Sequence, residues 1–71
     1  MRKKLTTRIR EYRVKKEMSQ QELASLVDVR RETIIRLEKG EYNPSLQLAM
    51  DIAALFEVSV EELFTFSDEE E

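Results

Sequence analysis

Seventy-one residues with a formal net charge of -3, no cysteine and no histidine make one small domain, of a size that buries only about 60% of its unfolded surface. Disulfide staples, thiolate metal sites, the usual zinc ligand sets and nucleophilic triads built on histidine or cysteine are excluded. Enclosed pockets of enzymatic size are rare at this length, so neither an enzyme nor a cofactor, metal or small-molecule ligand is expected.

The net charge conceals a gradient. Residues 1–16 carry a balance of +7, residues 17–43 of -2 and residues 44–71 of -8. A low pI argues against a polyanionic partner only when charge is evenly spread, and here one end can face phosphate while the other cannot. The basic opening Met1–Leu5 leads into Thr6–Lys16, which is dense in arginine and lysine and not apolar, so no secretory signal is expected. No run approaches the roughly 18 apolar residues of a membrane span, and a cytoplasmic protein without membrane contact is expected.

In chain order, Leu5, Ile9 and Tyr12 recur at helical spacing and predict an amphipathic helix from about Thr6 to Lys16, capped by Thr6 or Thr7. Ser19-Gln-Gln-Glu22 reads as a capping box for a second helix carrying Leu23, Ala24, Leu26 and Val27. Asp28 follows as a turn residue that tolerates left-handed geometry. A third helix runs from about Arg30 to Lys39, burying Ile34 and Leu37, with Gly40 as its stop. Asn43-Pro-Ser45 is a loop ending in a cap, and Leu46, Ala49, Met50, Ala53 and Leu55 build a fourth helix to about Phe56. Ser59 and Glu62 form a second capping box, for a short helix carrying Val60, Leu63 and Phe64. The class expected is all-α, with a domain over residues 1–66 and an acidic, disordered tail over 67–71.

Two helices joined by about four residues can cross steeply and leave the second free to project. The segments Ser19–Val27 and Arg30–Lys39 fit that pattern, with Ala24 at the close approach and Val29 plugging the turn. Ile34 and Leu37 anchor the second helix from behind, which leaves Arg31, Glu32, Ile35 and Arg36 outward. The early residues of such a helix reach base edges when it docks in a major groove.

Five segments, in order and at matching spacing, carry a family resemblance: Gln20–Ala24, Val29–Ile34, Leu37–Gly40, Tyr42–Leu46 and Val58–Phe64. Together they resemble the phage-repressor, Cro/XRE-type helix-turn-helix regulators over about residues 6–64, most closely the short single-domain prokaryotic members. The resemblance implies a five-helix, lambda-repressor-like DNA-binding domain with the helix-turn-helix at helices 2 and 3. It implies base reading by Arg31, Glu32 and Arg36, with arginine matching guanine O6 and N7 and glutamate the cytosine amino group. A first-turn glutamate is also favoured by the helix dipole alone, and Ile35 has two readings, a thymine methyl or a packed neighbour. The resemblance further implies phosphate contacts by Gln20, Lys39, Tyr42 and Asn43, with Arg8, Arg10 and Arg30 as further donors. It pairs Arg13 with Glu38 as a structural salt bridge. Asp28 stands where the family commonly has glycine, and Arg30 where Ser or Thr usually caps the recognition helix. Phe64 and Phe66 are dimer-interface candidates, because Phe66 falls beyond the fifth helix with little to cover it. The expected partners are double-stranded DNA and a second copy of the chain, in a small repressor acting on a near-palindromic operator. An antitoxin or other protein-interaction module on the same fold is the alternative.

Overall fold

The computed structural model describes residues 3–68. Five helices, α1 (Ile9–Lys15), α2 (Gln20–Leu26), α3 (Arg31–Glu38), α4 (Leu46–Phe56) and the single turn α5 (Val60–Leu63), surround one core. Two strands, β1 (Lys3–Thr7) and β2 (Phe64–Asp68), flank them as a two-stranded antiparallel sheet.

That sheet corrects the all-α expectation. Lys3 pairs with Asp68, Leu5 with Phe66 and Thr7 with Phe64, so these six side chains share one face of the sheet. Leu5 and Phe64 are buried there, and Lys3 and Asp68 meet as an exposed ion pair. Thr6 and Thr7 are therefore strand residues and not caps; α1 starts behind Arg8, whose side chain makes no capping bond. The polar groups here tie elements together instead. Thr7 Oγ1 donates to the Leu37 carbonyl at 3.1 Å, and the Arg8 N–H donates to the Leu63 carbonyl at 2.9 Å. Phe64, expected on the fifth helix, opens β2, and Ser67 and Asp68, expected in the tail, continue it. Residues 69–71 of that expected tail lie outside the described residues.

Three of the five helix starts follow the local capping code. Ser19 accepts from the Glu22 N–H at 3.0 Å while Glu22 accepts from the Ser19 N–H at 2.7 Å. Ser59 and Glu62 repeat the arrangement at 3.1 and 2.9 Å, and Ser45 caps α4 through the Leu48 N–H at 3.1 Å. Each box satisfies two amides that the first turn of a helix would otherwise leave unpaired.

Helix ends share one device. α1, α2, α3 and α4 each close on a left-handed residue, Glu17 (φ 54°), Asp28 (φ 60°), Gly40 (φ 73°) and Glu57 (φ 58°). In each, the next amide reaches back to a carbonyl of the last turn: Met18 to Arg13, Val29 to Ala24, Glu41 to Arg36 and Val58 to Ala53, at 2.9–3.0 Å. This is the Schellman closure, and in three of the four the residue after the left-handed one is apolar and packs on the core.

Ile9, Leu23, Ile34, Leu37, Ile52 and Leu63, at least one from every helix, are the largest fully buried side chains. Truncating one to alanine removes about 2–5 kcal/mol, a large share of what so small a core supplies. On α4 the inward positions are Leu48, Ala49, Ile52, Ala53 and Phe56. Leu46 and Met50, among the apolar residues whose spacing marks this helix, stay 73% and 54% exposed. Among the described residues no buried side-chain polar atom lacks a partner.

Candidate nucleic-acid interface

α2 and α3 are joined by Val27–Arg30. The fully buried Ala24 sits on α2, and the Val29 N–H donates to its carbonyl at 3.0 Å, so the turn folds back on α2 and α3 leaves it at once. Ile34 and Leu37 are completely buried on the inner side of α3, while Arg31, Glu32 and Arg36 are exposed and Ile35 is half-buried. Arg30 is the N-cap residue with an extended backbone and no side-chain cap bond; Glu32 stands in the first turn, where a carboxylate favours the exposed amides and the helix dipole.

Two elements, α1 and α2, grip α3 at Glu38. Arg13 Nε donates to Glu38 Oε2 at 2.7 Å and Nη2 to Oε1 at 3.2 Å, while Nη1 donates to the Met18 carbonyl at 2.9 Å. Gln20 Nε2 adds a bond to Glu38 Oε1 at 3.1 Å. The pair is largely buried, with side chains 12% and 7% exposed, so loss of one partner would leave a desolvated charge, worth about 3–5 kcal/mol. Arg13 therefore faces the scaffold. Gln20 gives one amide hydrogen to Glu38 and retains a second.

At the other end of α3, Lys39, Tyr42 and Asn43 are exposed, and Arg36 Cζ lies 5.9 Å from the Tyr42 ring centroid. β1 lies against this end: a Cβ on Gly40 would strike the Leu5 carbonyl oxygen. Arg8 is engaged elsewhere. Its Nε and Nη2 donate to both Glu11 oxygens at 3.0–3.2 Å, and the bond to Glu11 is the main cause that raises the Arg8 pKa above its ordinary value. Arg10, Arg30, Arg31, Arg36 and Lys39 have no ion-pair partner among the described residues.

Phe64 and Phe66 separate. Phe64 is buried in the core, whereas Phe66 is 56% exposed beside an apolar groove of about 270 Å³ formed with Pro44, Leu46, Ala49 and Val60. Among the described residues no helix is long and apolar enough to cross a membrane.

A helix-turn-helix family model matches residues 9–63, from the start of α1 to the end of α5. The chain belongs to the Cro/XRE-type helix-turn-helix regulators. As a member of that family this regulator binds DNA and is not an enzyme. It is 61% identical over 66 residues to an HTH-type transcriptional regulator of Archaeoglobus fulgidus, covering 93% of this chain and 94% of the relative. It is 30% identical over 63 residues to the cryptic phage CTXphi transcriptional repressor RstR of Vibrio cholerae, covering 89% of this chain and 57% of that one. Among solved structures the regulator is similar to the restriction-modification controller protein C.AhdI from Aeromonas hydrophila. That match has a TM-score of 0.70 and 33% identity, over 78% of this chain and 83% of the other.

The capping boxes, Gly40 and the outward set on α3 are all legible as local sequence signals. The Gln20–Glu38 bond, the approach of Arg36 to the Tyr42 ring and the lie of β1 on Gly40 are not, because each joins residues whose proximity depends on how α3 is set in the fold.

Proposed function

We propose that α2 and α3 are the helix-turn-helix, that α3 enters the major groove, and that the regulator is a repressor acting as a homodimer on a near-palindromic operator. The observation that carries the reading is the two-faced character of α3. Ile34 and Leu37 are wholly buried, and the opposite side presents Arg31, Glu32 and Arg36, with neither arginine in an ion pair among the described residues. Two arginines matched to guanine edges and a glutamate matched to a cytosine amine give a G·C-containing half-site. Arg30, Lys39, Asn43 and the remaining amide hydrogen of Gln20 bracket α3 and hold the phosphates, which set register without reading sequence. Repression is steric: the dimer occupies promoter DNA. Its place of action is the cytoplasm, where that DNA is.

The exposed Phe66, Leu46 and Met50 support the homodimer. Phe66 is a projecting aromatic next to an apolar groove floored by Phe64, and a two-fold contact requires knob and hole on one patch. Half-sites of such dimers lie about 34 Å apart along the duplex.

In vitro selection from random duplexes, followed by affinity measurement across salt, tests this directly. A single preferred motif is expected, bound about 10³-fold or more above random DNA and weakening steeply with salt. Arg31→Ala should cost about 1–3 kcal/mol and relax one base pair per half-site. A flat salt response, or one motif recovered alike from the wild type and Arg31→Ala, would sink the assignment.

A further inference from the structure

We infer that Tyr42 is a positioning residue for Arg36: its ring, and not its hydroxyl, contributes to DNA recognition by holding the guanidinium in a base-reading pose. The inference rests on the reading of Arg36 as a base-contacting residue.

The guanidinium of Arg36 has no hydrogen-bond or ion-pair partner among the described residues, but its Cζ lies 5.9 Å from the Tyr42 ring centroid. That is inside the roughly 6 Å over which a cation is attracted to a ring face. Guanidinium suits the contact because an aromatic face engages the plane and leaves the in-plane N–H fork free for a guanine edge.

The platform is rigid for reasons visible in the backbone. The Gly40 N–H donates to the Leu37 carbonyl at 3.0 Å and the Glu41 N–H to the carbonyl of Arg36 itself at 2.9 Å. The residue to be positioned and the segment that carries the ring are thus closed into one turn. β1 backs that turn, with the Leu5 carbonyl against Gly40 and Thr7 bonded to Leu37. Tyr42 leaves the closed turn two residues after Gly40, while Asn43 and Pro44 lead directly into the capped start of α4. Holding a long arginine before DNA arrives removes part of the entropy otherwise lost on binding. The phosphate role implied for Tyr42 by family resemblance would instead use the hydroxyl, and the two roles separate cleanly.

The test compares Tyr42→Phe, which keeps the ring, with Tyr42→Leu, which removes it, on a selected operator and on duplexes carrying each single-base change. Tyr42→Leu should lose about two- to fivefold in discrimination, the size of an exposed cation–π contact. The loss should fall at the base pair that Arg36→Ala relaxes, and the double variant should lose no more there than Arg36→Ala alone. Tyr42→Phe should recover the discrimination, and all variants should unfold at the wild-type temperature. In free protein, an upfield ring-current shift of the Arg36 δ protons should persist in Tyr42→Phe and vanish in Tyr42→Leu. Equal, sequence-independent losses in both variants, with a shallower salt slope, would overturn the inference in favour of a phosphate-binding hydroxyl. So would the absence of any ring-current shift in the wild type. If Arg36→Ala relaxes no base pair, it is the reading of Arg36 that fails, and the role of Tyr42 falls with it. If Arg36→Ala relaxes one and Tyr42→Leu does not, the Tyr42 inference alone falls.

Discussion

Four left-handed residues end four helices, and only one of them is glycine. Gly40 is the position where no other residue fits, because its φ of 73° is joined to the Leu5 carbonyl lying over its α-carbon. Gly40→Ala is expected to destabilise by about 2–4 kcal/mol, combining left-handed strain with a clash that neither backbone can relieve. Glu57 has the same kind of backbone, φ 58°, without the glycine. Glu57→Gly should therefore stabilise by about 1 kcal/mol, since the relief of strain exceeds the added entropy of the unfolded chain. Chemical denaturation at constant m-value measures both, and a Gly40→Ala protein as stable as the wild type would refute the close-approach argument. Gly40 and Asp28 advertise themselves by residue type, whereas Glu17 and Glu57 do not. The signal for the latter two is indirect: an apolar residue, Met18 or Val58, directly after the left-handed position, where it folds back on the core.

Three of the five helices, α2, α4 and α5, are started by a serine side chain, whereas α1 and α3 begin without one. α5 is a single turn, too short to persist alone, and its capping box holds the Glu62 carboxyl below its ordinary pKa. The Ser59 backbone N–H is the larger cause and the Ser59 hydroxyl the next. A folded-state pKa below the unfolded one means the box contributes fully above the unfolded value and is lost as pH falls through the folded one. The unfolding temperature should therefore fall as pH drops below about 4.3, the ordinary glutamate value. Glu62→Gln, which still accepts the bond but does not titrate, should show a flatter acid limb. A ¹³C titration placing Glu62 at or above the ordinary value would contradict the cause. Both boxes were readable from Ser-x-x-Glu alone because the motif spans one turn. The start of α1 was not, because Thr7 is a plausible cap by type yet bonds to Leu37, thirty residues away.

At the scale of the molecule the basic start and the acidic end of the described chain meet, Lys3 of β1 against Asp68 of β2. The cations of α3 and its flanks, without ion-pair partners among the described residues, are those proposed to face DNA, and the acidic second half supplies α4, α5 and β2. Phe66, on the core-facing side of β2 but beyond the reach of the core, is the residue on which the proposed homodimer turns. Phe66→Asp is expected to convert a dimer to monomer in light scattering at micromolar concentration, and to weaken operator binding with random-DNA affinity kept. A dimer of unchanged mass would move the interface elsewhere on the surface.

From sequence alone came the five helices, most of their starts, the burial of Ile34 and Leu37 and the outward set of Arg31, Glu32 and Arg36. All of these are encoded within one or two turns, by capping residues and by the 3.6-residue period. The sheet was hidden because its strands lie at opposite ends of the described chain; Lys3–Thr7 and Phe64–Asp68 become strands only by pairing with each other. Likewise, spacing placed Leu46 and Met50 on an apolar face, but only the packing of α4 decided that Leu48 and Ile52 would be the ones covered. Local patterns specify which residues can share a face; the assembled fold decides which faces meet, and here that left Phe66 uncovered and set Tyr42 beside Arg36.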